Sequence, residues 1–208
     1  MKELMLPAYE LLTELVPFFL VLMLILRFHP KHSQTKNLKV RKNVILLIVF
    51  ALYICAVLNV TGPGTIFDLK YFDFGRQAIN FSPFPEGIDF SEHFLNIVLF
   101  VPLGVLLGLF WTKKGYLLYT FMYGLGFSLL IECSQLLNHR AADIDDLILN
   151  TLGAVVGYLV ICVFLGKSTA KEKSKFVILV PALFILVIIA GRFFLYNEMA
   201  FAKILYGF

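Results

Sequence analysis

Charge is what this chain most lacks. Only 15% of its 208 residues are Asp, Glu, Lys or Arg, against 60% hydrophobic, and its mean hydropathy is +0.85. A soluble domain carries about 25% charged residues, so a water-facing surface over the whole molecule is excluded. Cysteine is also scarce. Cys55, Cys133 and Cys162 each sit in or at the end of an apolar block, with no close-spaced pair. That spacing excludes a thiolate zinc site and reads as buried, inert thiols. There is no Cys/His metal spacing, no Gly-x-Ser-x-Gly elbow and no phosphate-binding loop. Short segments of alternating apolar and polar residues are missing too, which excludes an outer-membrane barrel. The net charge of +4 does not suggest nucleic-acid binding.

What is present is a series of long apolar blocks, over 8–27, 43–60, 93–111, 116–137, 147–166 and 176–195. Each approaches the roughly 20 residues that cross a hydrocarbon core as helix. The fold class is therefore an all-α, polytopic membrane helix bundle of about six transmembrane helices. The first is the weakest, because Glu10 and Glu14 precede its uninterrupted run from Leu15 to Leu26. An interfacial or re-entrant helix is the alternative there. No composition break divides the chain, so 1–208 reads as one membrane domain. Lys and Arg crowd the first, third and fifth loops, whereas the second and fourth are acidic. The positive-inside rule then puts the odd loops in the cytoplasm and the even loops outside. The second loop, 61–92, is long and aromatic (Phe67, Tyr71, Phe72, Phe74, Phe81, Phe84, Phe90) and is expected on the outer membrane surface or folded over the helices. Gly104-x-x-x-Gly108 and Gly153-x-x-x-Gly157 predict close backbone approach by the third and fifth helices.

Polar side chains concentrate between the fourth and fifth blocks. Glu132 and Gln135 share a helix face near the outer end of one, and Asp146 and Asn150 share a face at the outer start of the next. Asn96 is expected at similar depth on the third helix, just inside His93, with Arg140 in the short connection. The prediction is convergence of Asn96, Glu132, Gln135, Arg140, Asp146 and Asn150 on one outer pocket. Structural readings stand beside it. Asp143, Asp145 and Asp146 open a helix, where carboxylates cap free N–H groups. Asn96 and Asn150 suit interhelical hydrogen bonds. Glu132 and Arg140 suit an ion pair. Chemically, Asp143, Asp145 and Asp146 offer hard oxygen ligands for a divalent metal such as Mg²⁺ or Ca²⁺. Glu132 is a candidate acid/base, with His93 as a candidate proton-transfer imidazole. Arg76 and Arg140 suit an anionic headgroup.

These residues resemble the VanZ-like family of bacterial membrane proteins. The likeness begins at Arg76-Gln-Ala-Ile-Asn80-Phe-Ser-Pro83-Phe84 and continues at Asn96-Ile-Val-Leu-Phe100-Val-Pro102-Leu-Gly104. It then takes in Glu132-x-x-Gln135 and Arg140-x-x-Asp143-x-Asp145-Asp146-x-x-x-Asn150-x-x-Gly153, a core over about 76–157. The resemblance implies a cell-envelope role in the plasma membrane, of a Gram-positive bacterium, and a link to teicoplanin-type glycopeptide resistance. The leading expectation is a binding or accessory protein whose outward pocket engages a lipid-linked envelope component or a lipoglycopeptide. Glu132, Arg140 and Asp146 would recognise it, Gln135, Asn96 and Asn150 would position them, and Arg76 and the Asn80-to-Phe84 stretch would close the pocket from above, with Asp143 a further candidate ligand-binding residue. The alternative is an enzyme acting on a lipid-linked phosphate or sugar, with Glu132 as acid/base and an Asp-held metal. A transporter fits less well, because the charges gather at one side with no ionisable group at mid-membrane depth.

Overall fold

A computed structural model describes residues 2–28, 34–72, 79–80, 82, 90–111, 116–138, 140–165 and 175–207. Seven α-helices account for most of them: α1 (Lys2–Phe28), α2 (Gln34–Thr61), α3 (Phe90–Trp111), α4 (Leu117–Gln135), α5 (Ile144–Leu165), α6 (Lys175–Leu195) and α7 (Glu198–Tyr206). A 3-10 turn (Ile66–Tyr71) follows α2, and a second (Leu136–Asn138) follows α4. Two two-residue strands, β1 (Ile79–Asn80) and β2 (Ala142–Asp143), pair in parallel.

The bundle is an all-α membrane architecture. Helices α1 to α5 each contain a stretch long and apolar enough to cross a bilayer. The first block, with its acidic start, is thus a continuous 27-residue helix of spanning length. Over Leu179–Leu195, α6 forms with α7 a pair bent by 52° that together passes the same test. Helix α2 begins at Gln34, before the apolar block, because Lys36, Lys39, Arg41 and Lys42 extend the helix with good helix formers.

The tightest helix pair is α3 with α5, and the reason is steric. A Cβ on Gly104 would collide with the Ala154 carbonyl of α5, and one on Gly153 or Gly157 would collide with the carbonyls of Ile97 or Val101 of α3. In lipid there is little hydrophobic gain from bringing helices together, so such close backbone contact supplies the packing. Helix α4 covers this pair, with Phe100 and Phe127 meeting at 5.5 Å between ring centroids. A second unit is formed by α1 and α6. Pro17 cannot donate to the Thr13 carbonyl, and Gly191 packs against that carbonyl and the proline ring. Helix α2 joins the units, and Tyr53 donates from it to the Leu99 carbonyl of α3 at 2.8 Å.

One end of the bundle gathers the start of α1, the end of α2, the starts of α3 and α5, the ends of α4 and α6, and α7. All the described candidate residues lie at or near this polar end. Of the aromatic loop, Phe67 is 40% exposed and Phe90 80% exposed, while Phe74, Phe81 and Phe84 fall outside the described residues.

Candidate functional site

The parallel β1–β2 pair sets Asn80 opposite Asp143, immediately before α5. The Asp143 carboxylate accepts from the Asp145 backbone N–H at 3.0 Å, which caps the new helix. Its other oxygen accepts from the Asn80 amide at 3.5 Å, the outer limit of a hydrogen bond. From α4, Glu132 accepts the backbone N–H of Asp143 at 2.9 Å. From α3, the Asn96 amide donates to Asp146. Three helices and one strand pair thus converge on Asn80, Asn96, Glu132, Asp143 and Asp146. Glu132 is 6% exposed. Among the described residues it pairs with no cation and accepts only that one backbone donor. His93 lies near enough to Asp146 to interact with it electrostatically. Asp145 is buried.

Asn150 lies one turn deeper than Asp146, and its partner Ser128 lies one turn deeper than Glu132. The Asn150 amide donates to the Ser128 hydroxyl at 3.0 Å. The two pairs form successive layers between α4 and α5, so Asn150 braces the helices beneath the cluster.

Gln135 and Arg140 bond elsewhere, although the Arg140 charge still acts on Glu132. Both donate to the carbonyl of Thr61 at the end of α2, Gln135 at 2.8 Å. Asn138 donates to the Gly62 carbonyl at 2.9 Å, and Gly64 donates back to the Ser134 carbonyl at 3.1 Å. The last carbonyls of a helix have no partner within it, and here side chains of another segment satisfy them. Gly62 adopts φ +58°, the left-handed conformation that ends helices, and a Cβ there would sit 3.1 Å from the Arg140 guanidinium. The Glu132–Arg140 ion pair is not made. Arg76 lies outside the described residues. Among the described residues, no three His, Cys, Asp or Glu side chains are arranged to hold a metal ion, the Asp143, Asp145 and Asp146 run included.

Sequence reasoning missed a second buried group. Arg192 of α6 bridges Glu10 and Glu14 of α1, the latter at 2.9 Å. The Asn59 amide of α2 donates to the other Glu10 oxygen at 2.7 Å. The guanidinium also stacks over the Tyr196 ring at 5.2 Å. Glu14 is fully buried, about 15 Å along the helix axis from Leu4 at 1.5 Å per residue. Charge thus runs from the polar end one turn deeper along α1, from Glu10 to Glu14. The overlooked signal is the four-residue spacing of Glu10 and Glu14 on one face, with a lone Arg in another apolar block. Ionisable groups in such segments face the bundle interior and pair.

The comparisons with known proteins agree with this architecture. The family described as VanZ/LLP1 matches residues 15–165. The chain is also similar to Protein VanZ of Enterococcus faecium, 28% identical over 125 residues, which cover 60% of this chain and 77% of that one. No solved structure matches. The matched stretch holds Asn80, Asn96, Glu132, Asp143, Asp146 and Asn150, and leaves out Glu10, Glu14, Arg192, α6 and α7. With roughly three quarters of its length matched by that one family, this chain belongs to the VanZ/LLP1 family.

Proposed function

We propose that the chain is a cell-envelope binding protein of the bacterial plasma membrane. Its Glu132–Asn96–Asp146 cluster, on this reading, faces the extracytoplasmic side and recognises a lipid-linked envelope component or a lipoglycopeptide. The observation that carries the reading is Glu132: a buried carboxylate that, among the described residues, accepts one backbone N–H and makes no ion pair, Arg140 acting on it only through its charge. A carboxylate has about four acceptor positions, and the second Glu132 oxygen makes no hydrogen bond among the described residues and is not sealed from solvent. A ligand that donates hydrogen bonds would fill those positions. Asp146 is held by one amide and supports the same role. The extracytoplasmic orientation rests on the basic loops at the opposite end of the bundle and the positive-inside rule. Gln135, Arg140 and Asn138 act as positioning residues, because they fix the end of α2 against the loop that carries the cluster.

The family resemblance extends the reading to teicoplanin-type resistance. Expression in a teicoplanin-susceptible Gram-positive host tests it. The wild-type chain is expected to raise the inhibitory teicoplanin concentration. Glu132→Gln, at equal abundance in the membrane fraction, is expected to abolish the increase. Equal protection by both would remove Glu132 from the mechanism.

A further inference from the structure

A cavity of about 900 Å³ opens at the polar end of the bundle, between α1, the turn after α2, the end of α4, α6 and α7. It is a different place from the Glu132 cluster. Gly62, Pro63 and Asn138 wall it, but none of Asn80, Asn96, Glu132, Asp143, Asp146 and Asn150 does. Its volume is that of a small-molecule site. The lining carries three acidic residues (Glu10, Asp68, Glu198) and three basic ones (Lys70, Arg192, Lys203), so its formal charge is zero. Most of that charge is already engaged. Glu10 is held by Arg192 and Asn59. Asp68 accepts from the Thr65 backbone N–H and hydroxyl at 2.6 and 2.9 Å. Lys70 has a partner of its own.

Glu198 and Lys203 are different. Both are exposed and line the cavity from α7, and neither side chain makes an ion pair or hydrogen bond among the described residues. They are five residues apart, outside the three- or four-residue spacing at which helix neighbours pair. The cavity therefore presents one free anion and one free cation around an internally neutralised interior. The Nε of Arg192, buried and unpartnered, adds a donor from within. Leu6, Phe67 and Met199 give the same space apolar walls.

We propose that this cavity binds a zwitterionic headgroup carrying an ammonium and a phosphate. The ammonium sits against Glu198, and the phosphate against Lys203 with Arg192 beneath it. Neutral lining favours a ligand without net charge. The apolar walls, at the end of a membrane bundle, suit a headgroup that carries acyl chains, although the free headgroup has the same polar chemistry.

The test is thermal unfolding of the full-length protein in a non-ionic detergent, titrated with three probes. They are a short-chain phosphatidylethanolamine, a phosphatidylglycerol of equal chain length, and soluble O-phosphoethanolamine. Binding to the folded state raises the midpoint. Phosphatidylethanolamine is expected to raise it by several degrees and phosphatidylglycerol by much less. Glu198→Gln and Lys203→Gln are each expected to weaken the apparent affinity by about tenfold or more, the loss of one charge-assisted contact. Their ligand-free midpoints should stay at the wild-type value, because both residues are exposed. Glu132→Gln should leave this response intact, which separates the site from the proposed recognition cluster. An equal response to O-phosphoethanolamine would support the same chemistry with a soluble ligand, and a response to the lipid alone would place the ligand in the membrane. Three results would overturn the proposal: no response by the wild type to any probe, phosphatidylglycerol matching phosphatidylethanolamine, or the double variant E198Q/K203Q responding as the wild type does.

Discussion

The α3–α4–α5 cluster and the α1–α6 cluster both bury carboxylates at one end of the same bundle, but they satisfy them differently. In the first, Glu132, Asp143 and Asp146 accept from amides and backbone N–H groups, all uncharged donors. In the second, Glu10 and Glu14 share the guanidinium of Arg192. The charge of Glu10 and Glu14 is met within the fold, although one Glu14 oxygen stays buried without a partner, whereas Glu132, answered by a single neutral donor, keeps an oxygen that is not sealed from a further partner. The first arrangement lies inside the stretch that the VanZ/LLP1 family matches, and the second lies outside it. On the proposed reading, recognition belongs to the first cluster and the joining of α1 to α6 to the second.

The largest effect should come from breaking the second cluster. Arg192→Ala leaves two carboxylates buried without a cation, a change that costs about 3–5 kcal/mol when one partner of a buried pair is removed. Unfolding in detergent should show a large fall in midpoint. A midpoint close to wild type would mean that water reaches the carboxylates and that the group is not structural. Next in size is Gly157→Leu, which pushes a side chain into the Val101 carbonyl of α3. Overpacking of this kind costs about 1–3 kcal/mol or more. Because it separates the helices that carry Asn96 and Asp146, it should remove ligand response together with stability. Retained ligand response would show that the cluster does not depend on the α3–α5 contact. Asn80→Ala should do least. Its bond to Asp143 is long, so the expected loss is about 0.5–1 kcal/mol. A larger loss would show that the β1–β2 pair fixes the start of α5.

These effects also mark what could be read from the chain itself. The paired glycines of α3 and α5 were legible, because small residues four apart in an apolar block have one main use. Asn96, Glu132 and Asp146 were legible as a group, because each falls at the same end of a recognisable helix. The partners of Gln135 and Arg140 were not. Both bind a main-chain carbonyl of Thr61, and every residue presents such a carbonyl, so no side chain announces it. Asn150 is expected in the pocket from its face alone, and its partner, Ser128, leaves no mark in an apolar run. The β1–β2 pair is two residues long and has no periodicity to detect. Helix α7 was missed because its short sequence lies beyond the last apolar block, although Asn197 caps its start by accepting from Ala200 N–H at 3.0 Å. Arg192 is a lone cation in an apolar block, and its partners Glu10 and Glu14 lie almost the whole chain away.

The central claim is that Glu132 is a ligand-recognition group and not a structural one. It is tested most directly by the unfolding midpoint of the purified protein in detergent, with and without cell-envelope lipid extract freed of zwitterionic phospholipid, for wild type and Glu132→Gln. The substituted amide keeps an oxygen that can accept the Asp143 N–H, so the ligand-free midpoints should agree. The account predicts that the extract stabilises the wild type and that Glu132→Gln loses this stabilisation. It is contradicted if the extract stabilises both alike, or if Glu132→Gln lowers the ligand-free midpoint while the extract stabilises neither.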